Sequence, residues 1–323
     1  MAEGNKTGLI NIDLSGEPLS KLIDVTSKGM GGLFEPWMIK RRAKATAFEI
    51  DTLKSSMEKN GLNGNLHISR TGLEIKVEEG TVEERAIITL IQKEVNRQIN
   101  TEKIVSNAAE NLESIQAVST EPVDDEWIQR FFNIAQDIND EDMQTIWSKI
   151  LSDEIVKPKS YSLRSLDILK NMSKYEAELF NKYIKESLND VQFRFRIDHD
   201  EMNKDGNITV GERLLLEEIG LIQRDLSKPI SANSLVGYAI TDDLIMSIEN
   251  SNNEKQSLSI DITTRVGYEL SKLVDIEIND EIIKKIANSI REEGRGNLSV
   301  NLGIEPKWGP RGIVQWKKLN ADI

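Results

Sequence analysis

The stretch Val82-Glu-Glu-Arg-Ala-Ile-Ile-Thr-Leu-Ile-Gln-Lys-Glu-Val-Asn-Arg-Gln-Ile-Asn-Thr-Glu-Lys-Ile-Val-Ser-Asn-Ala-Ala-Glu-Asn-Leu-Glu-Ser-Ile115 contains neither proline nor glycine. Its apolar residues Ile88, Ile91, Val95, Ile99, Ile104, Ala108, Leu112 and Ile115 recur at steps of three or four, with one longer step between Ile99 and Ile104. That period predicts one amphipathic helix of about 50 Å at 1.5 Å per residue. A helix this long lies along other helices or pairs with a second chain. The irregular step argues against an extended heptad coiled coil.

Downstream, residues 119–190 predict a core of short helices. Asp124 is placed to cap a helix carrying Trp127, Phe131, Ile134 and Ala135, and Asp140 one carrying Met143, Ile146, Trp147, Ile150 and Leu151. A third helix starts near Ser160 or Ser162, after Pro158, and Ser173-Lys-Tyr-Glu176 is a capping box that opens a fourth. Upstream, residues 1–80 predict a short helix around Leu22 and Ile23 that ends at Gly29, Gly31 and Gly32. A second helix follows from Pro36 towards Asn60-Gly61, and then a small hairpin over 66–77. After Asp190 the period switches. Phe193, Phe195 and Ile197 alternate, and strand-like runs at Tyr238, Leu244–Ile248, Leu258–Ile262, Leu298–Leu302 and Ile313–Trp316 mix with helical ones. The expected fold is therefore mainly α, with the long central helix at 81–118, a short-helix bundle, and an α+β domain at 191–323 whose element order is winged-helix-like.

Composition narrows the chemistry. The 323 residues hold no cysteine and two histidines, His67 and His199. This excludes disulfides, thiolate nucleophiles, cysteine-bound zinc and histidine-rich metal sites. Forty-one Lys and Arg against 54 Asp and Glu give a net charge of −13, which disfavours non-specific binding to nucleic acid. The N-terminal residues have no apolar core of the signal-peptide kind. No uncharged apolar run approaches the eighteen or so residues that span a bilayer. A cytoplasmic protein is expected.

Trp127–Leu151, continued through Ser160–Ser173, resembles a bacterial domain-of-unknown-function family. Arg97–Ile104 is similar to that family's long helix, Gly32–Ala45 to its N-terminal region, and Leu214–Ile222 to its C-terminal part. The shared residues are core and capping types, so the resemblance implies a fold and supplies no catalytic residues. It also implies a setting in bacterial phage defence or stress.

Four local features carry candidate chemistry. Glu201, Asn203, Asp205, Asn207 and Glu212, around Gly206, follow the spacing of a calcium loop, but Glu201 stands where the shorter Asp is wanted and the preceding segment reads as a strand. Glu74 and Lys76, with Asp51 upstream, share only a fragment of a metal-dependent nuclease pattern, and a hairpin lacks the mixed sheet that chemistry requires. Phe34 and Trp37 followed by Lys40, Arg41, Arg42 and Lys44 suit an anionic membrane surface or a partner groove, placing the chain peripherally on the inner membrane if they act so. Arg194, Arg196, Arg213 and Arg224 offer phosphate contacts to a winged-helix-like regulator. No nucleophile elbow, phosphate loop or dinucleotide fingerprint occurs.

The sequence thus favours a non-enzymatic, homo-oligomeric interaction protein that acts through protein partners and needs no cofactor or metal. A nucleic-acid regulator and a membrane-surface defence effector stand behind that reading. A carboxylate enzyme site built from residues distant in sequence is the third class, marked by a polar pocket with shifted carboxylate pKa values.

Overall fold

The computed structural model describes residues 16–30, 65–69, 72–76, 81–199, 208–277, 279–310 and 312–319, together with Ser55 and Lys59. The chain divides into two compact units between Leu163 and Arg164.

The N-terminal unit holds α1 (Glu17–Gly29), the antiparallel pair β1 (Asn65–Ser69) and β2 (Gly72–Lys76), α2 (Val82–Leu112), α3 (Asp125–Ala135) and α4 (Glu141–Val156). The long helix is continuous across the irregular step. Thr81 starts it with a reciprocal capping box to Glu84. Asp124 and Asp140 cap α3 and α4 by accepting the backbone N–H of Trp127 and of Met143. These caps satisfy helix-end donors that burial would otherwise leave unpaired. The core is aromatic at its centre. Trp127 stacks on Phe131 at 5.0 Å, and Phe131 meets the rings of Phe132 and Trp147 at 5.3 and 5.4 Å. All four rings are buried, and the Trp127 indole N–H donates to the Tyr161 carbonyl at 2.9 Å. Trp127, Phe131 and Trp147 are packing groups and do not line the hollow beside the long helix.

The C-terminal unit holds α5 (Leu163–Asn171), α6 (Lys174–Lys185), β3 (Leu188–Asn189), β4 (Arg194–Ile197), α7 (Val210–Glu218) and β5 (Ile222–Ile230). These are followed by β6 (Ser234–Ala239), β7 (Leu244–Asn250), β8 (Gln256–Thr263), α8 (Arg265–Ser271), α9 (Asp280–Glu293), β9 (Leu298–Gly309) and β10 (Gly312–Lys318). The strands form one eight-stranded sheet in the order β10-β9-β7-β6-β3-β4-β8-β5, every pair antiparallel.

This sheet overturns the expectation of a mainly α chain with a winged-helix-like C-terminal part. The local strand signals are present, but they assemble by long-range pairing into a sheet too large for a winged helix. Two features hid its extent. β5 carries Pro229, which an edge strand tolerates, and it holds the polar residues Gln223, Arg224, Asp225, Ser227 and Lys228. β4 is buried along its whole length and so has no solvent face.

The main core of this unit packs α9, through Ile283, Ile286, Ala287 and Ile290, with Phe195, Ile197, Met246, Ile248, Leu258, Ile260 and Val300 of the sheet. At the other end of β8 a glycine sets a tight approach. A Cβ on Gly267 of α8 would stand 2.0 Å from the carbonyl oxygen of Leu221, which also accepts the Thr264 backbone N–H. The obstacle is backbone, so it cannot rotate away. Gly267→Ala is expected to destabilise the unit by about 1–3 kcal/mol in urea unfolding, despite alanine's better helix propensity. A variant as stable as wild type would contradict this packing.

Candidate functional site

Strand alternation places Arg194, Arg196 and Asp198 on the face of the sheet opposite Phe195 and Ile197. Across the ladder Arg196 pairs with Asp261 of β8. Between the pairs Gln223–Ile262 and Leu226–Ile260, the two residues Arg224 and Asp225 of β5 oppose Asp261 alone. That is a β-bulge, and Asp225 occupies the left-handed region at φ 58°. Aspartate tolerates this region better than most residues. The bulge turns the Asp225 backbone N–H towards Asp261, whose Oδ1 accepts it at 3.3 Å.

The result is a convergence of three carboxylates. Asp198, Asp225 and Asp261 each bring an oxygen to within 4.8 Å of the others. Arg213 of α7 sits among them, its Nη1 donating to Asp261 at 2.7 Å and lying 2.8 Å from Asp198. Arg224 donates to Asp225 at 2.9 Å and approaches Glu217 at 3.6 Å. Asp261 is wholly buried, Asp198 is half-buried and Asp225 is exposed.

Burial pushes the Asp261 carboxyl above its ordinary range, against the pull of the Arg213 guanidinium. Burial also opposes the Arg213 charge, but its bonds to Asp261 and Asp198 outweigh that and hold its pKa above the usual arginine value. The hydroxyl of Tyr183 from α6 is fully buried and has no hydrogen-bond partner. Burial raises its pKa well above the ordinary tyrosine value, and Asp261 is the charge that adds most.

The arginines read as phosphate contacts lie elsewhere in function. Arg194, Arg196 and Arg213 are buried. Arg194 spends its guanidinium on the Ser187 hydroxyl and on the carbonyls of Ser187 and Ile240, and burial pulls its pKa down to about 10. Arg196 pairs with Glu186 at 2.9 Å. They neutralise a buried polar layer and present nothing to a phosphate backbone.

Of the calcium-loop candidates, Glu201, Asn203, Asp205 and Asn207 lie outside the described residues. Glu212 closes a capping box on Thr209 and also accepts the Tyr175 hydroxyl, and the Thr209 backbone N–H holds its carboxyl below the usual range. Phe34, Trp37, Lys40, Arg41, Arg42 and Lys44, and the helix expected from Pro36, also lie outside the described residues, as does Asp51. Glu74 and His67 are backbone register partners in the β1–β2 ladder. His199 approaches Glu292 at 3.6 Å.

The N-terminal unit offers a different surface. From Asn100 to Leu112, α2 is mostly buried, but its first turns are not. Val82, Ile87 and Leu90 are 68%, 47% and 59% exposed, with Ala86 exposed between them, while Ile88 on the opposite side is buried. At helical spacing these four residues share one outward stripe. A hollow of about 190 Å³ lies beside the same helix, lined in part by Gly29, Arg97, Thr101 and Phe132. It is small against the 300 Å³ or more of ordinary ligand sites. Among the described residues no helix is long and apolar enough to cross a membrane.

A family model described as a protein of unknown function, DUF2806, matches residues 84–287, from the first turn of α2 into α9. No curated protein and no solved structure matches the chain.

Proposed function

This chain belongs to the DUF2806 family, and within that frame we propose that it is a non-enzymatic interaction protein that self-associates through the N-terminal half of α2 and acts on protein partners. The observation that carries this reading is the outward stripe of Val82, Ala86, Ile87 and Leu90. The same helix keeps its apolar residues inside further along, so exposure here is local and continuous, which is the pattern of a surface awaiting a partner. A second copy of the chain is the occupant proposed. Helix pairing needs only a short apolar stripe; Glu83 lies on the same face as this one, and Lys93 and Glu94 continue that face one turn beyond Leu90. A cytoplasmic role in bacterial defence or stress completes the proposal, following the resemblance of Trp127–Ser173.

The test is the mass of the native assembly by light scattering at micromolar concentration. The wild type is expected to be a dimer or larger. Ile87→Lys combined with Leu90→Lys is expected to reduce it to a monomer with a melting temperature unchanged or slightly higher, since neither side chain is buried in the single chain. A strictly monomeric wild type overturns the proposal, and so does a double variant that still assembles.

A further inference from the structure

We propose that the β9–β10 hairpin docks the chain on an anionic lipid bilayer, with Trp308 and Val314 at the membrane interface and Lys307, Lys317 and Lys318 on the headgroups. The hairpin lies within the C-terminal unit and uses other residues than self-association through α2, so the two stand or fall separately.

Charge complementarity names the occupant. Between Ile304 and Leu319 four basic residues, Lys307, Arg311, Lys317 and Lys318, stand against one acid, Glu305, so this segment carries +3 in a chain that carries −13. Lys307, Lys317 and Lys318 are exposed. Glu305 approaches Lys317 at 3.8 Å, but the two side chains are 71% and 69% exposed, and water screens such a pair. Acids elsewhere on the surface are screened beyond about 10 Å at 0.1 M salt. An approaching surface therefore meets the hairpin's own positive charge, and anionic headgroups attract it.

The two tryptophans of the hairpin divide the remaining work. Trp316 is half-buried on a seat made by glycines, since a Cβ on Gly303 of β9 or Gly237 of β6 would stand 2.4 or 3.1 Å from its indole ring. That seat pins β10 to the sheet. Trp308 is left outside. It pairs with Ile313 beside the last pair of the ladder, Gly309 with Gly312, and is 48% exposed, while Val314 is 67% exposed. An indole favours the boundary between water and acyl chains, and lysine stems lie along apolar surface while their ammonium groups reach phosphate. A hairpin end also has backbone groups that require water, which holds it at headgroup depth.

Other occupants suit this end of the sheet less well. The ladder between β10 and β9 is irregular at two places, between Ile313 and Gln315 and between Gln315 and Lys317. A bulged, lysine-bearing edge does not extend readily into the sheet of a second copy. Single-stranded nucleic acid binds through successive aromatic faces, whereas here one exposed ring is accompanied by a valine.

Flotation of the full chain with vesicles of equal parts phosphatidylglycerol and phosphatidylcholine tests this. The chain is expected to float with these vesicles and not with phosphatidylcholine alone. It is expected to be released at about 1 M salt, where the screening length falls to about 3 Å. Lys307→Gln combined with Lys318→Gln should weaken binding about 25-fold, at about five-fold for each cation removed, without moving the melting temperature. Trp308→Phe should still bind but lose the quenching of tryptophan fluorescence by lipids brominated on their acyl chains. Failure of the wild type to float with the anionic vesicles overturns the proposal. Undiminished binding by the lysine variant does so too, as does quenching retained in Trp308→Phe. So does loss of binding confined to a Lys40→Gln, Arg41→Gln, Arg42→Gln variant, or binding of a single-stranded oligonucleotide that the anionic vesicles do not displace.

Discussion

Arg196→Ala is expected to destabilise the C-terminal unit by about 3–5 kcal/mol, the cost of leaving a buried acid without its base. Arg196 is wholly buried in β4, and its Nε donates to Glu186 at 2.9 Å. Glu186 is itself about 5% exposed. Lys285 lies 3.8 Å from it, too far for a strong hydrogen bond. Lys285 is moreover held below the usual lysine pKa by burial, an effect its attraction to Glu186 does not cancel. Without Arg196 the Glu186 carboxylate is left buried without its closest cationic partner. The pair is not stabilising in an absolute sense, because desolvating two charges consumes most of their attraction. Arg196→Met combined with Glu186→Leu should therefore regain most of the lost stability. Urea unfolding of the single and double variants measures both. A single variant within about 1 kcal/mol of wild type would mean that the pair is effectively solvated.

The same arginine shows what the sequence alone conveys. Phe193-Arg-Phe-Arg-Ile197 reads at once as a strand, since its period is two. Alternation tells which residues share a face, but not whether that face meets water or another layer. By sequence Arg194 and Arg196 read as groups available to phosphate, whereas both are buried and Ser187 and Glu186 bind them. Local chemistry was more transparent. Asp124, Asp140, Ser173 and Thr81 act within three residues of themselves, so their capping roles are written in adjacent letters. The carboxylate cluster had no such trace. Asp198, Asp225 and Asp261 meet only because β4, β8 and β5 lie side by side, and because a bulge that breaks the alternation sets both Arg224 and Asp225 opposite Asp261. A polar, proline-containing edge strand gives too weak a periodic signal to reveal either the pairing or the bulge.

In the N-terminal unit the two central indoles should respond unequally to the same change. Trp147 is fully buried against Phe131, and its indole N–H has no hydrogen-bond partner. Truncation to alanine removes the whole ring and leaves a cavity that the surrounding helices cannot fill, at an expected cost of about 3–5 kcal/mol. Phenylalanine keeps most of the apolar contact and discards a donor that is already unpaired, so Trp147→Phe should cost less than about 1.5 kcal/mol. Trp127 differs. Its N–H donates to the Tyr161 carbonyl at 2.9 Å in a buried setting. Trp127→Phe removes that hydrogen bond as well as losing ring area and the stacking edge against Phe131. Its cost should exceed that of Trp147→Phe by about 1–2 kcal/mol. The pair of phenylalanine variants separates hydrogen bonding from packing because the chemical change is identical. Equal costs would show that the Trp127 bond contributes nothing net, and a cheaper Trp127→Phe would contradict the packing described for this core.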